Sequence, residues 1–192
     1  MAVAQFRGEM GAYVDVGAYH PMLYSNTYAF YRRGWSGLVI DPNTALRPLY
    51  KILRPRDTFI PCGVSAAKEE RTYYEFADGA YNTFDENTAL TVQKSKRSVL
   101  LTTRLVPLKP LAQILKEQGI TKIDLLNVDA EGLDMTILHS HNWSIRPKVI
   151  LVEDHTFIPD APTTSPLYVF LRNHKYSLGG FSGETLMFKA DL

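Results

Sequence analysis

The chain has little cysteine: Cys62 is the single one in 192 residues. One cysteine excludes an internal disulfide and any zinc site built from several cysteines. We interpret Cys62 as a small buried apolar residue rather than a nucleophile. The low cysteine content fits a reducing compartment.

Long apolar runs and an excess of charge of one sign are also missing. The net charge is +1, which gives no basis for a nucleic-acid or anionic-membrane partner. No apolar run approaches the roughly 20 residues that span a bilayer. Arg7 and Glu9 interrupt any apolar region of a signal peptide. We therefore expect a cytoplasmic protein without a membrane span, and the oligomeric state stays open.

The glycine motifs that bind phosphates are incomplete. Asp15 and Gly17 follow a strand-like run, but the full Gly-x-Gly-x-x-Gly is absent because position 19 is tyrosine. The turn also lacks Gly-Lys-Ser/Thr. Dinucleotides and nucleoside triphosphates need such phosphate cradles. The turn therefore favours a ligand that has a ribose and no phosphate.

Apolar runs that alternate with helical patterns predict one open, mostly parallel α/β sheet. The closing segments 176–182 and 185–189 predict an antiparallel hairpin. We expect a single domain over residues 1–192, in which residues 1–11 are a flexible or truncated N-terminal segment. The main strands are predicted at residues 13–16, 38–40, 58–60, 123–128 and 149–152.

The middle of the chain carries a less regular pattern. Residues 62–65 predict a turn, and residues 71–76 predict an extra hairpin strand rather than a crossover. Residues 89–98 predict a surface helix or loop. Leu111, Ile114 and Leu115 have helical spacing, which predicts a helix over residues 108–118.

Acidic side chains follow four of the predicted parallel strands. Ligands of open α/β sheets bind at the carboxyl ends of such strands, and an unpaired buried carboxylate is costly. Asp41 at the end of the second strand is suited to accept both hydroxyls of a ribose, and the competing interpretation is a turn residue before Pro42. A ribose without a phosphate points to S-adenosylmethionine. The polar residues at these strand ends are Asp15, Asp41, Asp129, Glu131, Glu153, Asp154 and His155.

With these residues placed, the sequence resembles the FkbM family of S-adenosylmethionine-dependent methyltransferases. The order and spacing of six stretches carry the resemblance, above all Asp-Ala-Glu-Gly after a buried strand. The six stretches are residues 13–21, 24–28, 33–43, 81–84, 123–134 and 146–153.

The resemblance implies a Rossmann-like methyltransferase fold and methyl transfer to oxygen. Substrates of the family include sugars, polysaccharide units and polyketide-type hydroxyls. Asp15 and Gly17 match the cofactor-binding first motif, and Asp41 matches the ribose-binding acid. The motif after the fourth parallel strand, which lines the site, is matched by Asp129, Glu131 and Gly132.

Two further residues are predicted to bind the cofactor. Ala18 lets the turn approach the methionine part, together with Gly17. Asn82 could reach the cofactor carboxylate or the acceptor, and its alternative role is a turn closed by side-chain bonds to the backbone. For Asp15, capping of the following turn is an equally good alternative to cofactor contact.

A hydroxyl acceptor must lose its proton as it attacks the methyl carbon, so a carboxylate or histidine is needed nearby. Asp129 is the first candidate for this base, followed by Glu131 and His155. An alternative is a divalent site of Asp129, Glu131 and Glu153, but the spacing is not diagnostic and we predict no metal.

The sequence thus predicts an O-methyltransferase that uses S-adenosylmethionine and acts on a small-molecule or glycan hydroxyl. A nicotinamide-dependent oxidoreductase would share the acid after the second strand, but it should have the fuller glycine motif. A cofactor-binding module without turnover is the third possibility.

Overall fold

The computed structural model of the chain describes residues 2–6, 10–130 and 132–191. Strands and helices alternate through most of them. The strands are β1 (Ala12–Val16), β2 (Ser36–Ile40), β3 (Thr58–Ile60), β4 (Gly63–Val64), β5 (Glu69–Phe76), β6 (Leu100–Lys109), β7 (Leu125–Val128), β8 (Val149–Glu153), β9 (Tyr176–Ser182) and β10 (Thr185–Ala190). The helices are α1 (Tyr28–Tyr31), α2 (Arg47–Leu53), α3 (Glu86–Lys94), α4 (Leu111–Glu117), α5 (Asp134–Ser140) and α6 (Pro166–Asn173).

The main sheet has the strand order β3-β2-β1-β7-β8-β10-β9. The first five of these strands pair in parallel. β10 runs antiparallel to both β8 and β9, so the predicted C-terminal hairpin is confirmed. The chain moves outward from β1 to β2 and β3, and then returns to the other side of β1 as β7. This reversal creates a switch point beside β1, where open α/β sheets bind ligands.

Apolar layers cover both faces of this sheet, which explains why its central strands are nearly continuous apolar runs. Successive side chains of a strand point to opposite faces. Leu126 of β7 and Ile150 of β8 pack with Ile114, on the face that α4, α5 and α6 cover. The neighbouring Leu125 packs in the opposite layer with Trp35.

A second sheet, with the order β4-β6-β5, follows β3. β5 pairs antiparallel with β6 along its length, so the predicted hairpin strand is confirmed. The predicted turn at residues 62–65 instead contains β4, which pairs with β6. The predicted helix over residues 108–118 is wrong at its start, since β6 continues to Lys109. The helix begins at Leu111 because Pro110 has no N–H to continue the strand and is suited to precede a helix.

The N-terminal segment is only partly described. Residues Ala2–Phe6 form a 3₁₀ helix, and the Phe6 ring packs edge-on against Trp35 with ring centroids 4.8 Å apart. The described part of residues 1–11 is therefore docked on the core. No helix among the described residues has the length and apolarity needed to cross a membrane.

Candidate active site

A cleft of about 630 Å³ opens at the carboxyl ends of the parallel strands. Such a volume lies within the range of small-molecule sites. The strand ends form one wall, and residues from the β5–α3 region form the other. The strand-end wall includes Val16, Gly17, Ile40, Asp41, Asp129, Ala130 and Glu153, and the opposite wall includes Arg71, Tyr73, Asn82, Thr83 and Phe84.

Gly17 lies where β1 and β7 approach each other at the edge of the cleft. Its φ angle is +75°, and an added Cβ would stand 1.7 Å from the backbone oxygen of Asp129. The Asp129 N–H donates to the Val16 carbonyl at 3.0 Å, which holds the two chains at this distance. Glycine is required here because neither the space nor the backbone conformation admits a side chain.

Asp41 lines the cleft at the end of β2, although it is only 7% exposed. One carboxylate oxygen accepts the Tyr19 N–H at 2.9 Å, and the other accepts the Asn43 N–H at 2.8 Å. Burial raises the pKa of Asp41 to about 6, against the lowering effect of these two hydrogen bonds. Each carboxylate oxygen has a second lone pair and can accept one more hydrogen bond. The carboxylate is therefore preorganised to accept two further hydroxyls.

Asn82 lies on the opposite wall of the cleft. Its side-chain oxygen accepts the Phe76 N–H at 2.7 Å, and its side chain also bonds to Tyr73. The side-chain bond to the backbone matches the turn-closing alternative. Because Asn82 also faces the cleft, its contact with a cofactor stays a prediction.

The candidate bases divide between the cleft and the surface. Asp129 lines the cleft at the end of β7, and Glu153 lines it at the end of β8. Glu131 lies outside the described residues. His155 does not line the cleft: its half-exposed ring lies 3.4 Å from Glu153 and 2.9 Å from Glu184. His155 is therefore not part of the cleft wall, and its role as a base stays a prediction.

Comparison with known proteins identifies the family. A sequence profile described as "Methyltransferase FkbM domain" matches residues 15–178, which is most of the chain. The chain belongs to the FkbM methyltransferase family. A search of curated proteins found no significant match.

A solved FkbM methyltransferase from Methylobacillus flagellatus KT has a similar fold, with a TM-score of 0.54 and 12% sequence identity. The similarity covers 94% of this chain and 43% of that protein. The chain thus spans less than half the length of that relative. At this identity the likeness concerns the fold alone, and it confirms the Rossmann-like arrangement expected of an FkbM methyltransferase.

Asp15, the acid of the family's first motif, lies beneath the cleft rather than on its wall. It is 1% exposed, and burial raises its pKa. Its oxygens accept hydrogen bonds from the Thr27 hydroxyl and from the Asn127 amide, the latter at 2.8 Å. These bonds tie β1 to β7 and to the start of α1. The direct cofactor contact of Asp15 stays a prediction, whereas its support of the cleft floor is visible in its bonds.

Ala18, like Asp15, lies beneath the cleft of this FkbM domain. It is 5% exposed and packs in the apolar layer that contains Trp35. Its N–H donates to the Ile40 carbonyl at 3.3 Å, and its carbonyl accepts the Tyr50 hydroxyl at 3.1 Å. It is not among the residues that line the cleft. Its small size suits the packing under the turn, and its contact with the cofactor stays a prediction.

Sequence reasoning missed the buried cation behind this turn. The side chains of Arg54 and Asp57 are both fully buried and form an ion pair at 2.6 Å. Arg54 also donates to the Tyr13 hydroxyl and to the Thr27 hydroxyl, each at 2.9 Å. Through Thr27, the network reaches Asp15. An arginine in a polar stretch gives no signal of burial, so only its three-dimensional partners reveal this role.

Proposed function

We propose that this chain is an S-adenosylmethionine-dependent O-methyltransferase that methylates a hydroxyl of a sugar or polysaccharide unit. The observation that carries the proposal is Asp41. It lines the cleft, its two oxygens are oriented by backbone N–H groups, and it stands one strand from the Gly17 turn. A cytoplasmic location, motivated by the single cysteine, is part of the same proposal.

The cleft residues fit this cofactor. Asp41 can accept two ribose hydroxyls, as acids at the end of this strand do in nucleotide-binding folds. Three carboxylates of the strand-end wall, Asp41, Asp129 and Glu153, favour a cofactor that carries a positive charge. When bound, the cofactor supplies a methyl group activated by a positively charged sulfur.

The protein's part in such a transfer is to position the groups and to accept a proton. The walls must hold the acceptor oxygen close to the methyl carbon and in line with sulfur. A carboxylate within hydrogen-bond reach of the hydroxyl must take its proton. Asp129 and Glu153, which both line the cleft, are the candidates for this carboxylate.

Calorimetry with S-adenosylhomocysteine tests the cofactor assignment. We expect binding by the wild-type protein, and a loss of about 10- to 100-fold in affinity for Asp41→Asn, since hydrogen bonds to a charged group are worth about 1.5–3 kcal/mol. The matched control is Asp160→Asn, which changes an exposed acid outside the cleft wall. Absence of binding, or unchanged affinity in Asp41→Asn, would reject the assignment.

Two parallel measurements separate the alternatives. Titration with NADH followed by fluorescence should show no binding; saturable binding would favour a nicotinamide-dependent oxidoreductase. Transfer of a tritiated methyl group to methyl glycosides of glucose, galactose, mannose and rhamnose tests the acceptor class. Cofactor binding without transfer to any of them would favour a binding module.

A further inference from the structure

We propose that Glu153 is the catalytic base of this site and that His155 and Glu184 position its carboxylate. The proposal rests on the function proposed above, and it names the residue that meets the acceptor. Glu153 qualifies because it lines the cleft, whereas His155 and Glu184 do not.

The order of the strands places Glu153 on the acceptor side. Along the carboxyl edge of the sheet, Asp41 follows β2, Gly17 follows β1, Asp129 follows β7, and Glu153 ends β8. Neighbouring strands lie about 4.8 Å apart, so Asp41 and Glu153 are separated by roughly 14 Å. If Asp41 held the ribose, the middle of this span, at the ends of β1 and β7, would be left for the rest of the cofactor. The acceptor would then enter from the side of β8.

Asp129 stands nearer the cofactor. Its backbone oxygen occupies the space beside Gly17, at the turn expected to face the methionine part. A carboxylate at this point is better placed to stabilise the positive charge of the cofactor than to take a proton on the far side of the methyl group. Glu153 lies one strand further along the carboxyl edge, on the side that the proposal assigns to the acceptor.

A short chain of ionisable side chains leads outward from Glu153. His155 Nε2 lies 3.4 Å from Glu153 Oε2, and His155 Nδ1 lies 2.9 Å from Glu184 Oε2. The exposed fractions of the side chains increase outward, from 19% for Glu153 to 50% for His155 and 59% for Glu184. The cluster thus connects the cleft to solvent.

The backbone fixes this arrangement. Glu184 lies in the turn between β9 and β10, and its carbonyl accepts the Asp154 N–H at 2.9 Å. The next residue, Thr185, pairs directly with Glu153 in the antiparallel ladder. His155 therefore lies between Glu153 and Glu184, two residues whose chain segments are joined through Asp154 and Thr185. This connection favours one orientation of the Glu153 carboxylate.

The proposed step is balanced in atoms and electrons. The acceptor oxygen bonds to the methyl carbon while the carbon–sulfur bond breaks, and that electron pair stays on sulfur. The hydroxyl proton passes to a carboxylate oxygen of Glu153 and leaves to solvent through the exposed end of the cluster. No oxidant, reductant or further reactant is needed.

The test compares Glu153→Gln, His155→Gln and Glu184→Gln with the control Glu70→Gln, an exposed glutamate of β5. Each variant is assayed for methyl transfer to the best glycoside of the panel and for S-adenosylhomocysteine affinity. We expect Glu153→Gln to lower kcat by about 10²- to 10⁴-fold, as loss of a general base does. Its cofactor affinity should stay within about twofold of the wild type, which separates this result from a failed fold.

His155→Gln should lower kcat about tenfold and leave KM and the affinity for S-adenosylhomocysteine unchanged. The acidic groups that face His155 are Glu153, Glu184 and Asp134. A positive charge on His155 acts to lower the pKa of Asp134. A parallel loss of cofactor affinity and melting temperature would instead indicate a structural role and overturn the positioning.

Three further results would overturn the proposal. Near-normal turnover of Glu153→Gln, with the wild type active, rejects the assignment of Glu153 as the base and leaves the proposed function intact. Failure of the wild type to bind S-adenosylhomocysteine rejects both. Glu153, His155 and Glu184 each offer a ligand atom within 4.8 Å of one another. Activity lost in EDTA and restored by Mn²⁺ would therefore make the cluster a metal site and reject the positioning role.

Discussion

The backbone oxygen of Asp129 occupies the place where a side chain at Gly17 would begin. An ideal Cβ at Gly17 would stand 1.7 Å from this oxygen, far inside contact distance. The two residues end the neighbouring parallel strands β1 and β7, so their contact sets the shape of the cleft floor. The backbone of Asp129 therefore requires glycine at position 17, independently of any ligand that binds to this turn.

Gly17→Ala should destabilise the protein by at least about 2 kcal/mol, because a positive φ and a collision with backbone act together. Gly119→Ala is the matched control: its φ is +65°, but nothing lies within 4 Å of an added Cβ. We expect the control to cost only about 1 kcal/mol. Urea unfolding measures both, and equal losses would contradict the steric argument.

Cofactor affinity should depend on pH through Asp41. Burial raises its pKa to about 6 in the free protein, and the ionised carboxylate accepts both ribose hydroxyls better than the protonated form does. Binding below pH 6 must therefore expel a proton. S-adenosylhomocysteine affinity should fall by up to about tenfold between pH 7 and pH 5 and be nearly constant above about pH 7.

Calorimetry between pH 5 and pH 8 measures this dependence, in two buffers of different ionisation enthalpy so that proton release is counted directly. Asp41→Asn cannot titrate, so its weaker affinity should be flat over the same range. An equally steep dependence in the variant would assign the effect to another group.

Loss of the buried arginine should damage the fold severely. Arg54→Met leaves the Asp57 carboxylate buried without its ion-pair partner, which costs about 3–5 kcal/mol in comparable sites. Lys51→Met, at an exposed position of α2, which ends just before Arg54, should change stability by less than about 0.5 kcal/mol. Chemical denaturation followed by circular dichroism compares them. A loss below about 1 kcal/mol in Arg54→Met would show that the network contributes little.

The thiol of Cys62 should be almost inert in the folded protein. It is 5% exposed, and burial raises its pKa to about 11. At pH 8 roughly one thiol in a thousand is ionised, and the thiolate is the reactive form. Ellman's reagent should therefore react far more slowly with the native protein than with the urea-unfolded chain. Complete reaction within minutes under native conditions would contradict this prediction.

Much of the fold could be predicted because its signals are local. An apolar run followed by an acid or glycine indicates a parallel strand and its carboxyl end, and β1, β2, β7 and β8 all have this form. The signal failed near Pro110, where apolar residues of β6 and α4 follow each other without a change in composition. Only pairing with β5 up to Leu108 and with β4 up to Lys109 shows where the strand stops.

The sequence by itself determined the mostly parallel α/β class, the main strand ends and the family, and it predicted Asp41 as the acid for a ribose. These depend on residue type and spacing, which a single chain displays directly. The tertiary structure decided which strand-end residues face the cleft: Asp15 is turned inward to Thr27 and Asn127, His155 is turned outward, and Glu153 lies between. It also decided why position 17 must be glycine: the backbone of Asp129 leaves no room there for a side chain. Such directions follow from backbone turns and from partners distant in sequence, and no local pattern encodes them.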